Sequence, residues 1–209
     1  MGDIKEVVAS LELLFDRLNG RYFESELSRP VITVSPDHSG KAYGWCTTWK
    51  AWQDGRTDGY YEINVCAEYL NRTIEAIAET MLHEMVHLYN ILHGVKDCSR
   101  AGTYHNIAFR DAALSHGLDC RKDAKYGWTV TELTQDAASF IRSICGLDFS
   151  LCRVSPSKGG KKKSSTRKYV CPVCGTIIRA TKEVSVICAS CSEEEEEAVY
   201  FELEEDIES

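Results

Sequence analysis

The chain has 209 residues, of which 44% are hydrophobic and 27% are charged, and its formal net charge is −8. This length allows one ordinary domain with a real core plus a small module. No stretch approaches the roughly 20 apolar residues of a membrane span, and the N-terminus lacks the long apolar run of a signal peptide. We therefore expect a cytoplasmic protein with no membrane partner.

The negative charge is concentrated at the C-terminal end. Residues 193–209, here called the acidic tail, hold ten acidic residues and no basic ones. The rest of the chain carries 24 basic and 22 acidic residues. The overall charge therefore does not exclude a polyanionic partner.

Apolar periodicity and turn signals predict a mixture of helices and strands. In chain order the predicted elements are a helix over about Ile4 to Glu24, a strand over Val31 to Ser35, a hairpin made by Lys41 to Trp52 and Tyr60 to Ala67, a helix over Thr73 to His93, a helix ending near Ser115, and a last helix over about Thr131 to Ile144. Thr73 and Thr131 are the predicted N-caps of their helices.

The most informative motif is H-E-x-x-H, which lies inside the helix predicted from Thr73. Its histidines, His83 and His87, are four residues apart and therefore lie on one helical face, where both imidazoles can reach one metal ion. Three protein ligands and an open water position make a catalytic zinc site. The neighbouring Glu84 is the predicted base that takes a proton from the activated water. The alternative is a pair of core histidines satisfied by hydrogen bonds.

A third ligand has to come from further along the chain. His93 completes the metzincin spacing, but no methionine follows Met85 to form the methionine turn, and Gly94 resembles a helix C-cap. A helical His93 would lie about 120° around the axis from His87. His105 precedes a second helix and is the favoured third ligand, while His116, next to a glycine, is expected to interact with a helix C-terminus.

Four cysteines form a second metal motif. Cys171, Cys174, Cys188 and Cys191 make two C-x2-C pairs with thirteen residues between them. Four thiolates close a tetrahedral site, so this zinc is structural, and the intervening segment, residues 176–187, is predicted to form a short hairpin. The other cysteines are predicted to be free thiols, mostly small buried residues. They are Cys46, Cys66, Cys98, Cys120, Cys145 and Cys152.

A basic segment without an apolar face precedes the cysteines and is predicted to be a linker. It carries six positive charges within eleven residues, at Lys158, Lys161, Lys162, Lys163, Arg167 and Lys168. Two interpretations stay open, a phosphate-binding arm beside a zinc module and a solubilising spacer. The acidic tail is expected either to fold back on this arm or to be a solvated end.

Several further segments accompany the zinc motif. They are Phe15-Asp16-Arg17-Leu18-Asn19, Leu27-Ser28-Arg29-Pro30-Val31-Ile32, Tyr43-Gly44-Trp45-Cys46, Glu62-Ile63-Asn64-Val65 and Gly102-x-x-His105-x-x-x-Phe109. Together with the motif from His83 to His87, these segments resemble the SprT-like (Spartan) metalloprotease family, and the resemblance covers roughly residues 10 to 191. The extended loop from Asp97 to Tyr104 departs from the family pattern.

The resemblance implies an α+β fold, with a compact zincin-like metalloprotease domain of helices and a small antiparallel or mixed sheet, followed by a small zinc ribbon. The expected organisation is a protease domain over residues 1–150, a linker over 151–168, the ribbon over 169–192 and the acidic tail over 193–209. The implied activity is that of a zinc metalloendopeptidase with one catalytic and one structural zinc. Some members of the family degrade proteins crosslinked to DNA.

Two alternative functions stay open at this stage. One is a nucleic-acid-binding adaptor with weak or vestigial protease activity, against which the intact Glu84 argues. The other is a metal-dependent hydrolase of a small amide. We expect a monomer with protein substrates, and DNA is a partner if the basic arm binds phosphate. Tyr104 is a candidate oxyanion donor, and the strand from Trp45 to Trp52 offers an edge for an extended peptide.

Overall fold

The structure is a computed structural model that describes residues 3–37, 42–154 and 166–204. The chain divides into two compact units, Met1–Ser155 and Pro156–Ser209. Most of the predicted basic arm, including Lys158 and the lysines at 161 to 163, lies outside the described residues, as do residues 205–209 of the acidic tail. The domain boundaries expected at residues 150, 168 and 192 stay predictions.

The described part of the first unit contains four α-helices. They are α1 (Ile4–Tyr22), α2 (Ile74–Leu92), α3 (Ile107–Ser115) and α4 (Gln135–Ser143). Each begins after a residue whose side-chain oxygen accepts a hydrogen bond from a first-turn N–H, and these N-caps are Asp3, Thr73, Asn106 and Thr134. The N-cap predicted at Thr73 is therefore confirmed.

The first sheet is mixed. Its strands are β1 (Val31–Ser35), β2 (Gly44–Cys46) and β3 (Glu62–Cys66), in the order β1-β3-β2. The central strand β3 runs parallel to β1 and antiparallel to β2. The predicted antiparallel pairing of the segments before and after residues 53–59 is confirmed, although the strands are shorter than predicted. An isolated bridge also joins Trp52 to Tyr60.

The second sheet contains a hairpin, part of which was predicted to be helical. Its strands are β4 (Cys98–Ser99), β5 (Tyr104–His105), β6 (Leu118–Asp123) and β7 (Gly127–Leu133), in the order β4-β5-β7-β6. The prediction that a helix begins at Thr131 is wrong, because Thr131 lies in β7 opposite Cys120. The segment Trp-Thr-Val-Thr at 128–131 is rich in aromatic and β-branched residues, which favour a strand.

Helix α2 lies at the centre of the first unit and packs against both sheets and the other three helices. Its apolar residues Ile77, Ala78, Met81, Leu82, Met85, Val86 and Leu88 are all fully buried. Burying a side chain of this size contributes about 1.5–3 kcal/mol. The polar residues of the H-E-x-x-H motif are therefore held on a helix whose position is determined by the core.

The described residues of the second unit form a small antiparallel sheet with one short helix. Its elements are β8 (Arg167–Val170), β9 (Ile177–Ala180), α5 (Ala189–Glu194) and β10 (Glu202–Leu203), and the strand order is β10-β8-β9. The hairpin expected within residues 176–187 is instead formed by β8 and β9, with the first cysteine pair in the connection between them. Part of the acidic tail is also structured, because β10 pairs with β8.

Candidate metal centre and active site

Two elements bring three imidazoles together. Helix α2 carries His83 and His87 one turn apart, with ring centroids 5.1 Å from each other. His105 comes from β5, where its backbone N–H donates to the carbonyl of Tyr126 at 2.9 Å and Gly127 lies opposite in β7. The ring of Phe109, on α3, lies 4.6–4.7 Å from all three imidazole rings and forms an apolar floor beneath them.

The separations between the ring nitrogens fit a shared metal ion. Nε2 of His105 lies 3.3 Å from Nε2 of His83 and 3.1 Å from Nε2 of His87. Two nitrogens that each lie 2.0–2.1 Å from a tetrahedral zinc are about 3.3 Å apart. One potential ligand atom from each of the three histidines lies within 4.8 Å of the others. These residues therefore have both the chemistry and the spacing of a three-histidine metal site.

The other two histidines considered as third ligands have different partners. His93 forms the C-cap of α2, and its Nδ1 bonds the carbonyl oxygen of Tyr89 at 2.8 Å while its Nε2 pairs with Glu26 at 2.6 Å. His116 forms the C-cap of α3, and its Nδ1 lies 2.6 Å from the carbonyl oxygen of Ala112. The structure thus brings His105, and neither alternative, to the pair on α2.

The model of the SprT-like family matches residues 11–117. The chain belongs to the SprT-like family. The matched segment extends from α1 to the residue after the C-cap of α3 and contains all three clustered histidines. No curated protein and no solved structure matches the chain. Within the described ranges, no helix is both long and apolar enough to cross a membrane.

The three clustered histidines of this SprT-like chain differ in the hydrogen-bond partner of their Nδ1 atom. Nδ1 of His87 lies 2.7 Å from Oδ2 of Asp97, which also accepts a hydrogen bond from the side chain of Asn90 at 3.1 Å. Nδ1 of His83 lies 3.1 Å from Oγ1 of Thr131. Nδ1 of His105 is buried and has no partner among the described residues. Neither contact was predicted from the sequence, since Thr131 was assigned to a helix N-cap and Asp97 to the loop after α2.

Electrostatics favour neutral imidazoles at two of the three positions. Burial lowers the pKa of His83 well below its usual value and lowers the pKa of His105 to about 4. Burial acts in the same direction on His87, but its hydrogen bond to Asp97 and the nearby carboxylates outweigh burial, so the pKa of His87 is raised. A neutral imidazole has the free lone pair that a metal ligand needs.

Glu84 is buried beside the cluster, with 7% of its surface exposed. Burial raises the pKa of Glu84 to about 7, and the charge of Asp97 acts in the same direction. A hydrogen bond from the backbone of Cys46, in β2, opposes this shift. The same strand approaches α2 closely at Gly44, where an added Cβ would lie 3.4 Å from Cγ of Glu84.

Tyr104, the predicted oxyanion donor, contacts an arginine and lines a cavity. The Tyr104 ring lies under the guanidinium of Arg100 at 4.6 Å and lines a cavity of about 510 Å³ together with Trp128 and Lys122. Its role as an oxyanion donor stays a prediction.

The strand β2 lies at the edge of its sheet among the described strands, as predicted for a strand to which an extended peptide adds.

The four predicted ribbon cysteines also come together. Sγ of Cys171 lies 3.8 Å from Sγ of Cys191, and Sγ of Cys174 lies 3.8 Å from Sγ of Cys188. Two thiolates bound to one tetrahedral zinc at 2.3 Å are about 3.8 Å apart. Hydrogen bonds from Thr176 lower the pKa of the Cys174 thiol, whereas the hydrogen bond with Cys174 raises the pKa of Cys191. The cluster fits a zinc ribbon.

Proposed function

We propose that this SprT-like protein is a zinc-dependent endopeptidase. The observation that carries the proposal is the convergence of the Nε2 atoms of His83, His87 and His105 beside the buried carboxyl of Glu84. Membership of the SprT-like family supports a metalloprotease-like function independently of this geometry. In the proposal the three histidines are the ligands of a catalytic zinc, and the four ribbon cysteines hold a structural zinc.

The ligand set is the basis for proposing zinc at the catalytic site. Three imidazoles and no thiolate leave a fourth position open, which is the arrangement of catalytic rather than structural zinc. A bound zinc ion supplies a Lewis acid that polarises a carbonyl and makes water more acidic near neutral pH.

Glu84 has the position and environment of a general base. Its buried carboxyl interacts electrostatically with His87, so it lies near the cluster and is shielded from bulk solvent. In the ionised form it accepts a proton from the attacking water, and it then delivers that proton to the nitrogen of the departing amine. The hydrogen bond from the backbone of Cys46 holds the carboxyl in place during both transfers.

The edge strand β2 is the proposed site for the substrate backbone. One side of β2 pairs with β3, through Gly44 with Val65 and Cys46 with Ile63. An extended peptide that adds to the other side would form main-chain hydrogen bonds next to Glu84, whatever its sequence. This binding mode suits a protein substrate better than a small amide, which has no extended backbone to pair.

The test combines proteolysis with metal analysis. We expect untagged wild-type protein to bind close to two zinc ions and to digest casein or histones. Glu84→Gln should keep both ions and lose at least about 100-fold in activity, because the side chain keeps its size but no longer accepts the proton. Glu75→Gln makes the same change elsewhere on α2 and should stay active. A zinc content near one that does not change in His83→Ala would refute the proposed catalytic site.

The same experiment separates the alternative functions. A nucleic-acid-binding adaptor would leave casein and histones intact while binding DNA, and an amidase would cleave small amides only. DNA-associated or DNA-crosslinked proteins are proposed substrates on the family resemblance. Proteins trapped by Glu84→Gln with and without DNA would identify them.

A further inference from the structure

A three-residue chain of hydrogen bonds connects His83 to a carboxylate one turn before it on α2. Nδ1 of His83 lies 3.1 Å from Oγ1 of Thr131, and the hydroxyl of Thr131 donates a hydrogen bond to Oε1 of Glu79. Thr131 belongs to β7, so the chain connects α2 with the second sheet. Glu79 and Thr131 also line a cavity of about 470 Å³ between α2, β7 and α4.

The direction of these hydrogen bonds follows from the number of protons available. A threonine hydroxyl has one proton. Because Thr131 gives that proton to Glu79, it can only accept at its second hydrogen bond, and the donor there has to be Nδ1–H of His83. A neutral imidazole with its proton on Nδ1 has its lone pair on Nε2, the atom that faces His105.

Each of the two histidines on α2 therefore has a carboxylate on the side of its Nδ1 atom, and the two carboxylates differ in how directly they contact the ring. Asp97 contacts Nδ1 of His87 directly, whereas Glu79 reaches His83 through the hydroxyl of Thr131. A partner on the second ring nitrogen orients a ligand histidine and raises its basicity, and its loss typically costs 10–100-fold in metal affinity. His105, which has no such partner among the described residues, serves as an internal comparison.

We propose that Glu79 is a positioning residue that acts through the Thr131 hydroxyl to hold His83 in its Nδ1–H tautomer, with Nε2 free for the metal. Neither residue belongs to the H-E-x-x-H motif or touches the ligand atoms. The inference rests on the proposed zinc site, but the hydrogen-bond chain that it describes exists in the protein without the metal.

The first pair of test variants keeps the shape of the side chain and changes only the hydroxyl. Thr131→Val removes the hydroxyl from a β-strand position that suits a β-branched residue, and Thr131→Ser retains it. The full chain would be treated with a chelator that empties the catalytic site and leaves the ribbon zinc, as checked by metal analysis. The ¹⁵N shifts of His83 then report its tautomer directly.

The expected results differ within the pair. Wild type and Thr131→Ser should have His83 protonated at Nδ1, whereas Thr131→Val should have a mixture of tautomers and a catalytic zinc affinity that is 10–100-fold lower by chelator competition. An unchanged tautomer and an unchanged zinc affinity in Thr131→Val would overturn the proposal.

A second pair tests the carboxylate and does not depend on the stability of the strand. Glu79→Ala should behave like Thr131→Val. Glu75→Ala removes a glutamate one turn earlier on α2 that lines the same cavity but pairs with Arg142, and it should behave like wild type. Equal losses of zinc affinity in both variants would mean that any negative charge on this face of α2 supports zinc binding. The proposed role of the hydrogen-bond chain would then be wrong.

The two proposals fail in different ways. If the wild-type protein digests casein and Thr131→Val has the wild-type tautomer and affinity, the positioning role is wrong and the endopeptidase function stands. If the wild-type protein has no proteolytic activity while the tautomer depends on Thr131 and Glu79, the positioning role stands and the endopeptidase function is wrong.

Discussion

At the scale of single residues, the position of the proposed base depends on a residue without a side chain. A Cβ at Gly44 would lie 2.6 Å from the carbonyl oxygen of Asn64, 3.0 Å from Cγ2 of Thr80 and 3.4 Å from Cγ of Glu84. The first of these contacts is with backbone, which cannot rotate away. Gly44 therefore allows the edge strand to pair closely with β3 while it packs against Thr80 and Glu84 of α2.

We predict that Gly44→Ala lowers the free energy of unfolding by about 1–3 kcal/mol, because β2 has to shift in a packed region. The shift should reduce casein hydrolysis more than zinc content, since Gly44 lies beside Glu84 and the three histidines come from other elements. Urea unfolding, metal analysis and a proteolysis assay measure the three quantities.

Gly20→Ala is the matched control. The nearest atom to a Cβ at Gly20 is Oγ of Ser25 at 3.8 Å, so there is room for a methyl group within α1. Replacing a helical glycine by alanine should be neutral or stabilising by up to about 1 kcal/mol. Wild-type stability and activity in Gly44→Ala would show that β2 tolerates displacement and would contradict the argument.

At the scale of elements, His105 depends on a very short strand. The strand β5 has only two residues and is held between β4 and β7. At its contact with β7, a Cβ on Gly127 would lie 2.1 Å from the carbonyl oxygen of His105, and Gly127 has a φ of +77°. The register of the third histidine is thus determined by a close approach of two backbones.

We predict that Gly127→Ala forces β5 away from β7 and displaces His105. Zinc content should fall from about two ions to about one, with the ribbon ion retained, and proteolysis should be lost. Metal analysis combined with thermal unfolding would separate loss of the site from loss of the fold.

Gly55→Ala controls for backbone strain in this experiment. Gly55 has a φ of +73°, close to that of Gly127, but no atom lies within 4 Å of an added Cβ. Both variants therefore share the strain of a left-handed alanine, and only Gly127→Ala adds the steric conflict. A similar loss of zinc in both variants would count against the proposed role of the β5–β7 contact.

At the scale of the whole molecule, the acidic tail contributes to the second unit. Glu202 and Leu203 pair with Val170 and Tyr169 of β8. Residues before this strand also support the second cysteine pair, since the backbone N–H of Cys188 donates to the carbonyl of Val199 at 2.9 Å. Residues 193–204 of the tail therefore include a strand and a hydrogen-bond partner that belong to the structure around the cysteines.

We predict that two truncations within the tail have different effects. A chain that ends at Glu204 keeps β10 and should release its ribbon zinc to a chelator at the wild-type rate. A chain that ends at Ser192 loses the third strand and the partner of Cys188, so its ribbon zinc should be released faster. Equal release rates from both chains would show that β10 does not support the metal site.

Features that depend on short spacings could be predicted before the fold was known. Residues four apart on a helix share one face, so His83 and His87 could be predicted as a pair, and the two C-x2-C pairs could be recognised from their spacing. The third histidine, His105, had to be chosen among several candidates further along the chain. The core helices α1 and α2 followed from apolar periodicity. The family resemblance is confirmed by the match over residues 11–117.

Features that depend on distant chain segments could be recognised only in the folded protein. Thr131 was predicted to cap a helix, yet it lies in β7 and contacts a histidine 48 residues before it. Asp97 could be seen in the sequence as a polar residue, but not as the partner of His87. Local periodicity reports which face of an element is buried, and it does not report which element covers that face. Contacts between such elements depend on the path of the chain between them. In this protein those contacts determine the surroundings of each histidine.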